Sequence, residues 1–177
     1  MRVSIGIAVV AVILLLSPGS VGPADGQQLK YAGAGGCSNI AVYGWTEDHT
    51  EALIVRAERE QLGLHVGANT VTITADRKGL DVVVELYEKP QPQLQLYYCN
   101  DVRLPEWELP ASTLRAVSGT LHVTLGKPGA VKSEGRPPSV YQATVILRDL
   151  VFRRPDGTLV PQKTPITLKA VVGYVLG

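Results

Sequence analysis

Alternation of apolar and polar side chains is what most restricts the folding of this chain. From Ser139 to Arg154 it reads SVYQATVILRDLVFRR. Tyr141, Ala143, Val145 and Leu147 share one face of an extended strand, with Gln142 and Thr144 on the other. After Arg148 and Asp149 the phase slips, and Leu150 and Phe152 become the apolar positions. A slip of one residue turns every later side chain to the opposite face. The sequence therefore predicts a β-bulge or a change of sheet at Arg148–Asp149.

The same period recurs along the chain. Ser38–Trp45 reads as a first strand, with Ile40 and Val42 on one face and Ala41, Tyr43 and Trp45 on the other. Asn69–Asp76 alternates Val71, Ile73 and Ala75 with threonines, and Leu80–Tyr87 alternates Leu80, Val82, Val84 and Leu86 with polar neighbours. Joined by Arg77-Lys78-Gly79, these two predict an antiparallel hairpin. Gln93–Asp101 reads as a strand ending near Cys99, Val117–Leu125 as another with Val117, Gly119 and Leu121 on its apolar face, and Ile166–Tyr174 as the last. Ala52–Glu58 reads as a strand. A short helix is the alternative, because Asp48 followed by Glu51 has the spacing of a capping box. Arg154-Pro155-Asp156-Gly157 predicts a turn into a short return at Thr158–Pro161. Lys127–Pro138 is polar, rich in Gly and Pro, and reads as a long loop.

Eight or nine strands without intervening helices imply antiparallel pairing. The expected fold is all-β: a single antiparallel β-sandwich, immunoglobulin-like in the broad sense, with a small β-barrel as the alternative. Trp45 lies between Cys37 and Cys99 but only eight residues past the first, which is not the spacing of a true immunoglobulin domain.

Residues 1–24 read as a signal peptide. Arg2 supplies the positive end, Val3–Leu16 is an apolar run too short for the ~20 residues of a spanning helix, and Gly22-Pro23-Ala24 offers small residues for cleavage. Residues 25–36, ending Ala-Gly-Ala-Gly-Gly, read as a flexible leader, and 37–177 as the β-sandwich domain. The expected location is secreted or periplasmic, in a bacterium, with no membrane span once the signal is removed. In that setting Cys37 and Cys99 are expected to form a disulfide.

Loss of Arg2 with the signal leaves 16 basic and 16 acidic residues. A net charge near zero argues against nucleic acid and anionic membrane as partners. The charge is unevenly spread: Asp25–Ser112 carries 7 basic and 13 acidic residues, a net of −6, and Thr113–Gly177 carries 9 basic and 3 acidic, a net of +6. Packing of the two halves against each other would neutralise both. A basic surface patch around Arg136, Arg148, Arg153 and Arg154 is the sharper alternative.

No catalytic motif is found: there is no G-x-S-x-G elbow, no H-E-x-x-H and no Walker loop. His49, His65 and His122 lack zinc-motif spacing. No catalytic residue, metal ligand or cofactor is assigned. Trp45, Tyr97, Tyr98, Trp107 and Tyr141 could supply a stacking surface or simply core. The residues singled out for ligand or partner contact are Trp107, Trp45, Arg153 and Arg154. The expected function is a non-enzymatic exported protein with a binding or structural role, its partner a protein or glycan of the cell envelope. The alternative is a small secreted hydrolase or metal-dependent enzyme using His49 or His122 with nearby carboxylates.

Overall fold

Two long strands carry the architecture. The computed structural model describes residues 29–91, 94–99, 107–129 and 140–173. In chain order the elements are β1 (Gly33–Cys37), β2 (Ala41–Trp45), β3 (Glu51–Ala57), β4 (Gly67–Thr74), β5 (Leu80–Leu86), a single helical turn α1 (Leu94–Tyr97), β6 (Ser112–Leu125), β7 (Tyr141–Arg153), β8 (Leu159–Gln162) and β9 (Ile166–Val172). All ladders are antiparallel and belong to one nine-stranded sheet, so the all-β antiparallel expectation holds. The signal segment 1–24, residues 25–28 of the leader, Arg136 and Tyr174 lie outside the described residues.

The β6–β7 hairpin is long enough to belong to two layers. On one edge of β6, β5 pairs with its first part, Ser112 to Arg115, and β4 with its last, Ser118 to Leu125. On the far edge of β7, β9 pairs with Tyr141–Leu147 and β8 with Leu150–Arg153. Between these halves the hairpin bends. Its register shifts on both sides of Ser118; Gly119 has φ 140° and Asp149 φ 53°. This is where the sequence pattern slips. Tyr141, Ala143, Val145 and Leu147 are buried, Arg148 and Asp149 are exposed, and Leu150 and Phe152 are buried again. A Cβ on Gly119 would stand 2.9 Å from the Arg148 carbonyl oxygen, so only glycine lets the two strands approach through the bend.

Bent this way, the sheet wraps around its own apolar face, which buries residues from β3 to β7 and from β9 in one cluster that includes Leu53, Val84, Leu121, Val145, Leu147 and Phe152. Its far edges meet at β1 and β9, where Gly173 donates to the Ser38 carbonyl at 2.6 Å in an isolated bridge. The two facing layers are thus parts of one sheet, nearly closed into a barrel with an open seam. Closure of this kind shields strand edges that would otherwise recruit other chains.

Several local expectations are corrected. β4 and β5 do not pair as a hairpin. Both run antiparallel to β6, hence parallel to each other, end to end along one edge; Arg77–Gly79 is a step between layers rather than a reversal. β6 begins at Ser112, not Val117, and Leu114 and Ala116 point inward before the bulge moves the inward phase to Leu121, Val123 and Leu125. Gln93–Asp101 is not a strand over its described part. Leu94 is fully buried while Leu96 is 49% exposed, so the alternation there does not track burial, and the chain takes a helical turn instead. The strand reading of Ala52–Glu58 holds as β3. The capping-box spacing belongs to the β2–β3 turn, where Asp48 accepts from the Thr46 hydroxyl at 2.6 Å and the Thr50 amide at 3.2 Å. These bonds hold the Asp48 carboxyl below its ordinary pKa.

The stretch read as flexible leader is in part an edge strand. Gly33 and Gly35 of β1 lie opposite Trp45 and Tyr43 of β2. A Cβ on Gly33 would come within 2.3 Å of the Trp45 ring, and one on Gly35 within 2.5 Å of the Tyr43 hydroxyl. The aromatic rings lie across the space the glycines leave, the cross-strand device that repairs glycine in a sheet edge. A strand with glycine at three of its five positions shows no alternation, which is why its sequence resembles a linker.

Candidate functional site

Two surfaces stand out, one aromatic and one basic. The aromatic one lies on the outer face of β2, β3 and β5. Tyr43, Ala52, Ile54, Val83, Tyr87 and Leu94 form a second buried cluster there, with Cys37, Trp45 and Tyr98 packed against it. The segment carrying α1 supplies the cover. Ring contacts run from Trp45 to Tyr43 (5.9 Å), Tyr98 (5.2 Å), Tyr97 (4.9 Å) and Trp107 (4.9 Å). The Cys37–Cys99 disulfide ties this cover to β1. Tyr87 and Tyr98 both donate to the same oxygen of Glu85, at 2.7 and 2.8 Å. Burial pushes both phenols well above their ordinary pKa, and the Glu85 carboxylate adds to the shift. Trp107 is only 4% exposed and Trp45 is half-buried. The two tryptophans singled out in the sequence are thus joined through three tyrosines in a packed layer. Tyr141 stands apart in the main core, where Arg59 lies over its ring at 4.9 Å and donates to its hydroxyl at 2.6 Å.

The basic surface lies at the bend. Between the end of β4 and the start of β5, the edge of β6 at Ala116 and Val117 is covered by neither strand. A cleft of about 320 Å³ opens there, walled by residues from the ends of β4 and β7, the start of β5 and the first half of β6. Three arginines line it, Arg115, Arg153 and Arg154, against one carboxylate, Asp81; Ile73, Leu80, Val82 and Pro155 supply apolar wall. Arg153 and Arg154 are set by the turn after β7. Gly157 donates to the Arg154 carbonyl at 2.9 Å with φ 89°, and Asp156 accepts from the Thr158 amide at 2.8 Å.

Charge in the cleft is unevenly matched. Asp81 takes Arg115 at 2.8 Å and Arg56 at 3.5 Å, so one carboxylate serves two guanidinium groups. Arg115 and Arg153 are direct cross-strand partners on β6 and β7, both exposed. Like charges so placed repel, at a cost of roughly 0.2–1 kcal/mol. Among the described residues the Arg153 side chain makes no ion pair and no hydrogen bond, while its backbone is paired in the sheet with Arg115 and Leu159. Of the two sequence readings of charge, the Arg115–Asp81 pair does join the acidic and basic halves, yet basic charge remains concentrated at this point. Arg148 is exposed on β7, and Arg136 lies outside the described residues.

Arg153 and Arg154 are therefore brought together with Arg115 and Asp81, while Trp45 and Trp107 belong to the other surface. The sequence reading missed Arg115 and Asp81. Alternation of Leu114 and Ala116 with Arg115 would have placed that arginine on the outer face, had the strand been started at Ser112. The histidines lie on three different elements. His49 is in the β2–β3 turn at φ 58°, His65 is exposed before β4, and His122 on β6 meets the Thr70 hydroxyl at 3.1 Å. Among the described residues no group of three or more His, Cys, Asp or Glu is placed to hold a metal ion, and no helix is long and apolar enough to cross a membrane. Compared with known proteins, the chain matches no family model, and no curated protein or solved structure matches it either.

Proposed function

We propose that this protein is an exported, non-enzymatic module with a binding role in the cell envelope or outside the cell. The observation that carries the reading is the cleft at the bend, where Arg115 and Arg153 sit on adjacent strands and the one carboxylate in the lining is Asp81. The planar guanidinium fork matches the two oxygens of a carboxylate or similar anionic group, so less freedom is lost per hydrogen bond formed. The disulfide supports export, since such bonds persist in oxidising compartments, and the apolar N-terminal run supplies the signal. The dispersal of the three histidines supports a binding role over a hydrolytic or metal-dependent one.

The test is retention. The oxidised chain, immobilised, is expected to hold one envelope component saturably and to release it at high salt. If no component is retained above a control surface, the reading is wrong.

A further inference from the structure

We infer that the cleft takes an acidic peptide segment, a Glu or Asp side chain entering between Arg115 and Arg153; this rests on the binding-module reading above. Three features of the cleft converge on that ligand. First, Arg115 and Arg153 are cross-strand partners of like charge, and the one carboxylate in the cleft, Asp81, is already shared with Arg56. A second carboxylate would relieve the repulsion, and the guanidinium fork matches its two oxygens. Second, the wall includes strand edge at Ala116 and Val117 that neither β4 nor β5 covers. This two-residue gap can offer one N–H and one C=O to the main chain of an extended peptide. Third, the remaining wall is aliphatic, from Ile73, Leu80, Val82 and Pro155, with no aromatic ring among the lining residues. An acidic sugar would present the same charge but would find no ring to stack on, whereas the flanks of a peptide fit an aliphatic wall.

The probe is a fluorescent, acetylated hexapeptide alternating Glu and Val, titrated by anisotropy against the oxidised full chain. Binding should weaken as salt rises, and the same peptide with Gln for Glu should not bind. R153E should weaken binding by ~10-fold or more, the effect expected when a charge-assisted contact is replaced by repulsion. Arg153 is exposed on β7 opposite Arg115, so R153E exchanges a like-charge pair for an opposite-charge one and its unfolding midpoint should equal or slightly exceed that of wild type. R153A, which adds no charge, should weaken binding less than R153E. Unchanged binding in both variants overturns the inference, as does equal binding of the Gln peptide. An oligogalacturonate of similar length serves as the glycan arm; if it binds as tightly as the peptide and loses affinity in R153E, the site is for acidic sugars and the peptide assignment is wrong. A wild-type chain that ignores the peptide yet saturably retains an envelope component overturns this inference alone and leaves the binding-module reading standing.

Discussion

Replacing Gly35 with alanine tests whether the glycine-rich stretch is a strand seated under aromatic rings. The new Cβ would lie 2.5 Å from the Tyr43 hydroxyl oxygen and 2.6 and 2.7 Å from two ring carbons. Ordinary carbon contact begins near 3.5 Å, so the ring must retreat by about 1 Å. It has nowhere to go cheaply. Tyr43 is 4% exposed and holds Tyr98 and Trp45 at ring distances of 5.2 and 5.9 Å. Overpacking of this kind costs ~1–3 kcal/mol, and the loss of glycine's unfolded-state freedom returns ~0.5–1 kcal/mol. The net expectation for Gly35→Ala is a loss of about 1–2 kcal/mol, read as a lower urea midpoint with unchanged slope. Gly126→Ala is the matched control. Its Cβ would meet Gln142 atoms at 3.4 and 3.5 Å, at the edge of ordinary contact, so stability should hold or rise slightly. If Gly35→Ala proves as stable as Gly126→Ala, β1 is not packed beneath Tyr43 and the account of the edge strand is wrong.

Three other outcomes follow from the same structure. The double variant Cys37→Ser, Cys99→Ser opens a link spanning 62 residues and should cost roughly 4 kcal/mol on the chain-entropy account, with Tyr and Trp fluorescence changing as the cover over β2 and β3 loosens; denaturant unfolding measures the first, and a loss under 1 kcal/mol would contradict it. Tyr31, Tyr43, Tyr87 and Tyr98 all have phenol pKa values raised by burial. A raised folded-state value means the unfolded chain ionises first, so their contribution is intact below about pH 10 and is lost as pH climbs above it; tyrosinate absorbance should therefore rise together with unfolding, and full ionisation of a still-folded protein would refute the burial. Asp81→Asn removes the carboxylate shared by Arg56 and Arg115; because the pairs are exposed, stability should change by no more than ~1 kcal/mol, while anisotropy should show tighter binding of the Glu–Val peptide.

What the sequence alone determined is whatever depends on near neighbours. Period-two alternation is imposed by the pleat, so most strands are legible in the sequence, and the slip at Arg148–Asp149 marks the bend. The outer faces of β2, β3 and β5, with Tyr43, Ile54 and Val83, proved to be covered only in the structure, where the α1 segment packs over them. Cys37 and Cys99 could be paired because only two cysteines exist. Partner choice was not legible, since pairing in a sheet is a contest among distant segments decided by total burial and register. Only the tertiary structure sent β4 and β5 along the same edge of β6 and closed β1 toward β9. It also turned Leu94 into a helical turn under the disulfide and laid two rings over Gly33 and Gly35. The cleft belongs wholly to that second category: Asp81, Arg115 and Arg153 come from three strands, and the bent hairpin with the gap between β4 and β5 sets them around one opening.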